Sequence, residues 1–377
     1  MTNLDYNKII ENESERDFYK ETYEKIVLSL KNNGSSNFWS IVRNIQGSDR
    51  RVLRLLNEML LIGEINLNGK EISLKNNKQI LLNNIECASC HGKGIQIENK
   101  YLEISSKMKE IYAKKPAPTF LFDQRPVTSE TTVRRAEYLA LRGDLISKKI
   151  AVIGDDDLTS IAIGLTKEAK EVIVFDIDKR LIDFINKTSE DLNLNVKAYE
   201  IDLTKRIPKE FTDYFDIFLT DPTPNPPAFS LFISIGLNLL KEKERCIGYV
   251  SFFPSHQKLS IDFQKILTDK NVIITDMIPK FTEYDFIEAT YRKEDLELLK
   301  KFDSGEKRLS FHENITRFET TNNTIKKIDM PNITERQNML GKATKKILYN
   351  LENDPAFIHG DKEFVEAIAA NIKGDLQ

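Results

Sequence analysis

The stretch Ile150-Ala151-Val152-Ile153-Gly154-Asp155-Asp156-Asp157-Leu158-Thr159-Ser160 constrains the fold of this chain more than any other. An apolar, β-branched run stops at one glycine and three aspartates and then passes into a helix-like segment. That is the strand, turn and helix opening a nucleotide-binding α/β unit. A dinucleotide fingerprint at this place carries G-x-G-x-x-G, whose glycines let backbone N–H groups cradle a pyrophosphate. Three carboxylates repel phosphate and favour a cation. The turn therefore suits a sulfonium nucleoside, such as S-adenosylmethionine or its decarboxylated form, or a polyamine.

The following segments repeat the pattern. Val172-Ile173-Val174-Phe175 ends in Asp176-Ile177-Asp178, about 20 residues after the glycine, where an acid hydrogen-bonds a ribose hydroxyl. Asp176 is the expected ribose ligand. Val196-Lys197-Ala198-Tyr199-Glu200-Ile201 ends at Asp202, expected near an adenine amino group from strand order alone, and Phe215-Asp216-Ile217-Phe218-Leu219-Thr220 ends at Asp221-Pro222. Any one of these acids reads equally well as a helix N-cap. Four in sequence order place carboxylates along the C-terminal edge of a parallel sheet, where open α/β sheets bind ligands.

With 377 residues, 40% hydrophobic and 30% charged, the chain can bury a sizeable core and is long enough for about two domains. Its formal charge of −3, from 55 basic and 58 acidic residues, offers no overall electrostatic case for nucleic acid. The first residues show no secretory pattern, and no apolar run approaches the roughly 20 residues of a membrane span, so a cytoplasmic location is expected. Three cysteines, Cys87, Cys90 and Cys246, exclude a disulfide framework.

The expected layout has four parts. Residues 1–85 form a small winged-helix-like domain: helical patterns around Tyr23/Ile26/Val27/Leu30, at Phe38–Val42 and at Val52–Leu60, then a hairpin through Asn68-Gly69. Arg50, Arg51 and Arg54 sit near the third helix's start, where such a module touches DNA; the module as a whole is not strongly basic, so a packing or dimerisation role is preferred. Residues 86–115 hold a turn and linker with Cys87-Ala88-Ser89-Cys90-His91. A structural zinc needs four ligands and no second Cys/His pair is near, so the segment reads as a turn with two thiols and no metal is assigned, zinc shared between subunits being the alternative. Residues 116–303 form the Rossmann-like domain, with late strands at Ile247–Phe253 and Val272–Ile278, and 304–377 are a polar tail with amphipathic stretches at Leu340/Ile347/Leu348/Leu351 and Val365/Ile368/Ala369/Ile372.

Several segments together resemble the branched-chain polyamine synthases, or N(4)-bis(aminopropyl)spermidine synthases. They are Phe122-Asp123-Gln124, Val127-Thr128-Ser129-Glu130-Thr131-Thr132, Arg142-Gly143-Asp144-Leu145, Gly154 to Ser160, Asp176-Ile177-Asp178-Lys179-Arg180-Leu181, Thr220-Asp221-Pro222 and Ile287-Glu288-Ala289-Thr290. The resemblance spans roughly Ala117 to Thr290 and implies a Rossmann-like, class I methyltransferase-type parallel sheet. It also implies transfer of aminopropyl groups from decarboxylated S-adenosylmethionine, a co-substrate with no separate cofactor, to the secondary amine of spermidine or a related polyamine. A homodimer is expected. Two departures stand out: Asp221-Pro222-Thr223-Pro224-Asn225 replaces the family's Asp-Pro-Pro-Glu-Thr, and Phe122 replaces a tyrosine.

The chemistry adds its own demands. A secondary amine with a pKa of about 10 is protonated at neutral pH and cannot attack until a proton leaves, and burying an unpaired ammonium costs several kcal/mol. Asp157, Asp221 and Glu288 are the candidates to orient and deprotonate the amine, with Asp157 first. Gln124, Gly154, Asp155, Asp156, Asp176, Asp178 and Asp202 are the candidates for substrate binding. Two other classes remain open at this point: an S-adenosylmethionine-dependent methyltransferase using Asp221-Pro222-Thr223-Pro224, which lacks the aromatic that stacks a flipped base, and a winged-helix regulator that senses a polyamine without chemistry.

Overall fold

The computed structural model describes residues 4–10, 15–76, 87, 90, 92–119, 122, 124–203, 209–223, 225–253, 257–288, 291, 293–305 and 308–329. His91, Asp123, Pro224, Ala289, Thr290 and both amphipathic stretches of the tail lie outside them. The chain divides into two compact units. One takes Met1–Gly94, Phe253–Ile261 and Ile278–Asn314, the other Ile95–Phe252, Asp262–Met277 and Ile315–Gln377.

In the first unit, α1 (Arg16–Asn33) buries Tyr19, Ile26 and Leu30 on one stripe and stops at Gly34, whose φ of 75° a side chain would strain. β1 (Ser35–Asn37) leads into α2 (Phe38–Ile45), where the Asn37 side chain accepts the Ser40 N–H at 2.9 Å. α3 (Asp49–Leu61) turns Val52, Leu53, Leu55, Leu56 and Met59 inward, and β2 (Ile65–Asn68) and β3 (Glu71–Leu74) close an antiparallel sheet of order β1-β3-β2. The same core takes Tyr291, Leu299 and Phe302 from residues far along the chain. Two arginines of α3 are engaged in packing: Arg51 lies 5.0 Å from the Phe18 ring centre, and Arg54 Nη2 is 2.9 Å from Asp295 Oδ2.

The second unit is built on a sheet with β4 (Lys149–Ile153) near its centre. Chain order runs outward on one side through β5 (Glu171–Asp176) to β6 (Val196–Glu200), and on the other through β7 (Ile217–Thr220) to β8 (Ile247–Phe252). These five strands are parallel; Val152, for example, lies between Val174 and Leu219. β9 (Ile273–Asp285) and β10 (Leu309–Glu319), of which this unit takes Ile273–Met277 and Ile315–Glu319, complete the order β6-β5-β4-β7-β8-β10-β9. The fold is Rossmann-like, of the class I methyltransferase type, as expected. The central strands β4, β5, β7 and β8 are buried along nearly their whole length, as in a parallel sheet covered on both faces, and the helices of this unit include α4 (Asn99–Tyr112), α5 (Ser129–Leu141), α6 (Thr159–Thr166), α7 (Lys179–Asp191) and α8 (Pro226–Leu239). The cover is close enough that a Cβ on Gly236 of α8 would fall 2.3 Å from Cε2 of Phe218 on β7. Among the described residues no helix is long and apolar enough to cross a membrane.

The reversal of winding between β4 and β7 opens a crevice at the carboxyl ends of these strands. The three-aspartate turn, Asp176 and Asp221 all sit on that edge.

Candidate active site

The turn after β4 is held open by its backbone. Gly154 has φ 74° and donates its N–H to Phe175 O at 2.9 Å, and Leu158, which precedes α6, is also left-handed with φ 57°. A branched aliphatic residue in that region is uncommon and costs energy that the surrounding contacts must offset. Between these two residues the carboxylates point to different partners.

Asp155 is turned inward. Its oxygens accept the Ser160 N–H at 3.4 and 3.3 Å, capping α6, while its own N–H donates to Asp176 Oδ2 at 2.9 Å. Burial pushes its carboxyl up to about 8. Asp176 in turn accepts the Asp178 N–H on Oδ1 at 2.8 Å, and burial raises it too. Asp178 opens α7 as its N-cap and receives Arg180 Nη2 at 2.6 Å and Gln124 Nε2 at 3.0 Å. Burial opposes its ionisation, but the Arg180 and Gln124 hydrogen bonds outweigh it and hold this carboxyl below the usual range. Gln124 Oε1 accepts the Thr119 N–H at 2.8 Å, so this side chain ties the segment before α5 to Asp178.

Asp157 faces α5. Oδ1 accepts the Val127 N–H at 3.0 Å and Oδ2 takes Arg135 Nη1 at 2.6 Å. Arg135 Nη2 reaches Asp221 Oδ2 at 2.5 Å, and the guanidinium also contacts Thr159 Oγ1 and Ser251 Oγ, both at 3.2 Å. Beside this group is a cavity of about 20 Å³ lined in part by Arg135, Asp157, Thr159, Thr220, Asp221 and Ser251, room for one water-sized group. Burial raises the Asp157 carboxyl, with Arg135 opposing. Asp156 differs from its neighbours: Oδ2 is buried with no hydrogen-bond partner among the described residues, and burial together with the charge of Asp157 lifts its carboxyl well above the ordinary value. Lys115 Nζ and the Tyr112 hydroxyl donate to the backbone oxygens of Asp156 and Asp157, both at 2.5 Å.

Of the residues singled out in the sequence, Gly154, Asp155, Asp156, Asp157, Asp176, Asp178, Gln124 and Asp221 thus share one edge of one sheet. Asp202 is half-buried next to Ile201, whose N–H donates to Asp176 O at 2.8 Å. Glu288 is exposed and belongs to the unit built on Met1–Gly94. Asn225, at the departure from the family motif, caps α8 by accepting the Ala228 N–H at 2.9 Å. The sequence reading missed Arg135, Tyr112 and Lys115. For Arg135 a signal existed: an arginine among Val133, Ala136 and Leu139 on a buried helix must meet carboxylates, because an unpaired buried guanidinium is not tolerated.

Residues 103–345 match the family described as the branched-chain polyamine synthase A C-terminal domain. An N(4)-bis(aminopropyl)spermidine synthase of Methanocaldococcus jannaschii is 35% identical over 286 residues, covering 72% of this chain and 79% of that protein. One of Thermococcus kodakarensis is 31% identical over 280 residues, covering 71% and 78%. The structure of the Thermus thermophilus branched-chain polyamine synthase, solved with N4-aminopropylspermidine and 5'-methylthioadenosine, superposes with a TM-score of 0.66 at 24% identity, over 83% of this chain and 92% of that one, a likeness of fold. By family match and by relatives above 30% identity, this chain belongs to the branched-chain polyamine synthase family.

Proposed function

We propose that the chain is an aminopropyltransferase, moving aminopropyl groups from decarboxylated S-adenosylmethionine to the secondary amine of spermidine and so making a branched-chain polyamine. The observation that carries this reading is the set of carboxylates at the C-terminal edge of the sheet: Asp155, Asp156 and Asp157 on a turn without phosphate-binding glycines, Asp176 at the end of β5 and Asp221 after β7. Such an edge favours a sulfonium and a polyammonium over any phosphorylated cofactor.

In the reaction the neutral amine's lone pair attacks the methylene carbon bound to sulfur. The new C–N bond forms as the C–S bond breaks, the electron pair returns to sulfur to give a neutral thioether, and the proton of the resulting ammonium leaves to a carboxylate. A second round alkylates the tertiary amine and gives a quaternary ammonium. Asp157 is the first candidate to orient the amine and take the proton, with Asp221 and Glu288 behind it. Asp176 takes the ribose hydroxyls and Asp202 the adenine amino group. Asp156 lies toward the aminopropyl arm, and Gly154, Asp155, Asp178 and Gln124 shape the donor pocket. No further cofactor is required. The amino-terminal helices and hairpin act as a winged-helix-like packing module, and the enzyme works as a cytoplasmic homodimer.

The test is incubation of the purified protein with decarboxylated S-adenosylmethionine and each of putrescine, spermidine and spermine, with products read by mass spectrometry. One or two aminopropyl masses added to spermidine support the reading. Methyl transfer from S-adenosylmethionine with no aminopropyl product overturns it.

A further inference from the structure

Arg135 joins four parts of the site. Its terminal nitrogens hold Asp157 Oδ2 at 2.6 Å and Asp221 Oδ2 at 2.5 Å, and they also reach Thr159 Oγ1 and Ser251 Oγ at 3.2 Å, so α5, the β4 turn with α6, and the ends of β7 and β8 meet on one side chain. Arg135 is buried, 5% exposed as a residue. One cation against two carboxylates leaves a single surplus negative charge. Resting on the aminopropyl-transfer reading, we propose that Arg135 is a positioning residue for that reaction: its planar fork aims the Asp157 and Asp221 carboxylates and cancels one of their two charges, so the pair orients the attacking amine without trapping it as ammonium.

The physical argument is a competition. A carboxylate within about 4–6 Å favours the protonated amine, and two bare carboxylates favour it more. The nucleophile is the neutral form. A fixed guanidinium opposes this stabilisation, and its fork geometry, which the compact ammonium of lysine does not share, sets where the carboxylate oxygens point. Asp155 and Asp156 on the same turn, Asp176 at the end of β5, Lys115 on Asp156 O and Tyr112 on Asp157 O also face this group. All of them are common to the variants below, so differences between variants report the Arg135 pair.

The experiment compares wild type, Arg135→Lys, Arg135→Gln, Asp221→Asn and Arg135→Gln/Asp221→Asn, each checked for folding by thermal melt. The readout is the pH profile of kcat with spermidine, which reports groups in the bound complex. Net charge on the pair orders the acid limb. Arg135→Gln, with two surplus negatives, should lie about one pH unit or more above wild type; the double variant, with one, should match wild type; Asp221→Asn, with none, should lie below. If Arg135→Gln does not fold, the other three still fix the order. Arg135→Lys keeps the charge and loses the fork, so its limb stays while kcat falls about tenfold or more. An acid limb that coincides in every folded variant, or a wild-type kcat in Arg135→Lys, overturns the inference. Absence of aminopropyl product from the wild type itself refutes the underlying reading instead.

Discussion

The backbone N–H of Asp155 donates to Asp176 Oδ2 at 2.9 Å, so the acid that ends β5 also holds the turn that follows β4. Asp176→Ala removes the proposed ribose acceptor and a turn anchor together, whereas Asp176→Asn keeps an oxygen for the Asp155 N–H. Bonds to a charged group are worth roughly 1.5–3 kcal/mol each, so the alanine variant should bind decarboxylated S-adenosylmethionine about ten- to a hundredfold more weakly, with the asparagine variant between it and wild type. Calorimetric titration showing unchanged affinity in Asp176→Ala would remove this residue from the donor site.

Asp156 and Asp157 are adjacent and differently engaged, one with a buried oxygen that has no partner among the described residues, the other on Arg135 and the Val127 N–H. Asp157→Asn should lower turnover by about 10²–10⁴ with donor binding largely retained, while Asp156→Asn should act on donor affinity. Single-turnover rates and donor titrations of both variants separate the two effects. A near-wild-type rate in Asp157→Asn would shift the proton acceptor to Asp221 or Glu288, and equal loss of donor binding in both would make the turn a cation-binding wall with no separate catalytic member.

Asp155 is ionised near pH 4 in an unfolded chain and is pushed up to about 8 by burial in the folded one. Between these values the folded state holds a proton that the unfolded state has lost, so this residue's contribution to stability falls as pH rises through the window, by at most about 1.4 kcal/mol per pH unit. Asp155→Asn keeps an acceptor for the Ser160 N–H and removes the titration. Denaturant unfolding at pH 5, 7 and 9 should show the variant gaining on wild type as pH rises. Parallel stability curves for the two proteins would contradict the assignment.

Asp144, in the segment Arg142-Gly143-Asp144-Leu145, receives Arg317 Nε at 2.7 Å and the Tyr249 hydroxyl at 2.5 Å, all of it buried. Asp144→Ala leaves Arg317 with Glu319 and Thr275, and removing one member of a buried pair is expected to cost about 3 kcal/mol. Urea unfolding measures it. Activity lost without any loss of stability would give this acid a substrate role in place of a structural one.

The strands of the second unit could be read directly from residue order. Ile150–Ile153, Val172–Phe175 and Ile217–Leu219 are continuous apolar runs that each reach an acid within two residues, and both the β propensity and the terminating turn act within a few residues. Family membership was legible for the same reason, through short segments such as Gly154-Asp155-Asp156-Asp157. The division of labour inside that motif was not. Asp155 reads as one of three equivalent acids until its oxygens are seen on the Ser160 N–H.

Arg135 marks the boundary between the two kinds of information. Its carboxylate partners lie 22 and 86 residues away in the chain, and nothing in a helix bearing Val133, Ala136 and Leu139 states which acids those are. Nor does the first unit's recruitment of Tyr291, Leu299 and Phe302 follow from any local pattern. Periodicity, capping and turn chemistry are short-range and survive in the bare sequence. The pairing of charges, and the pKa shifts that follow, depends on which groups packing removes from water together, and only the folded chain decides that.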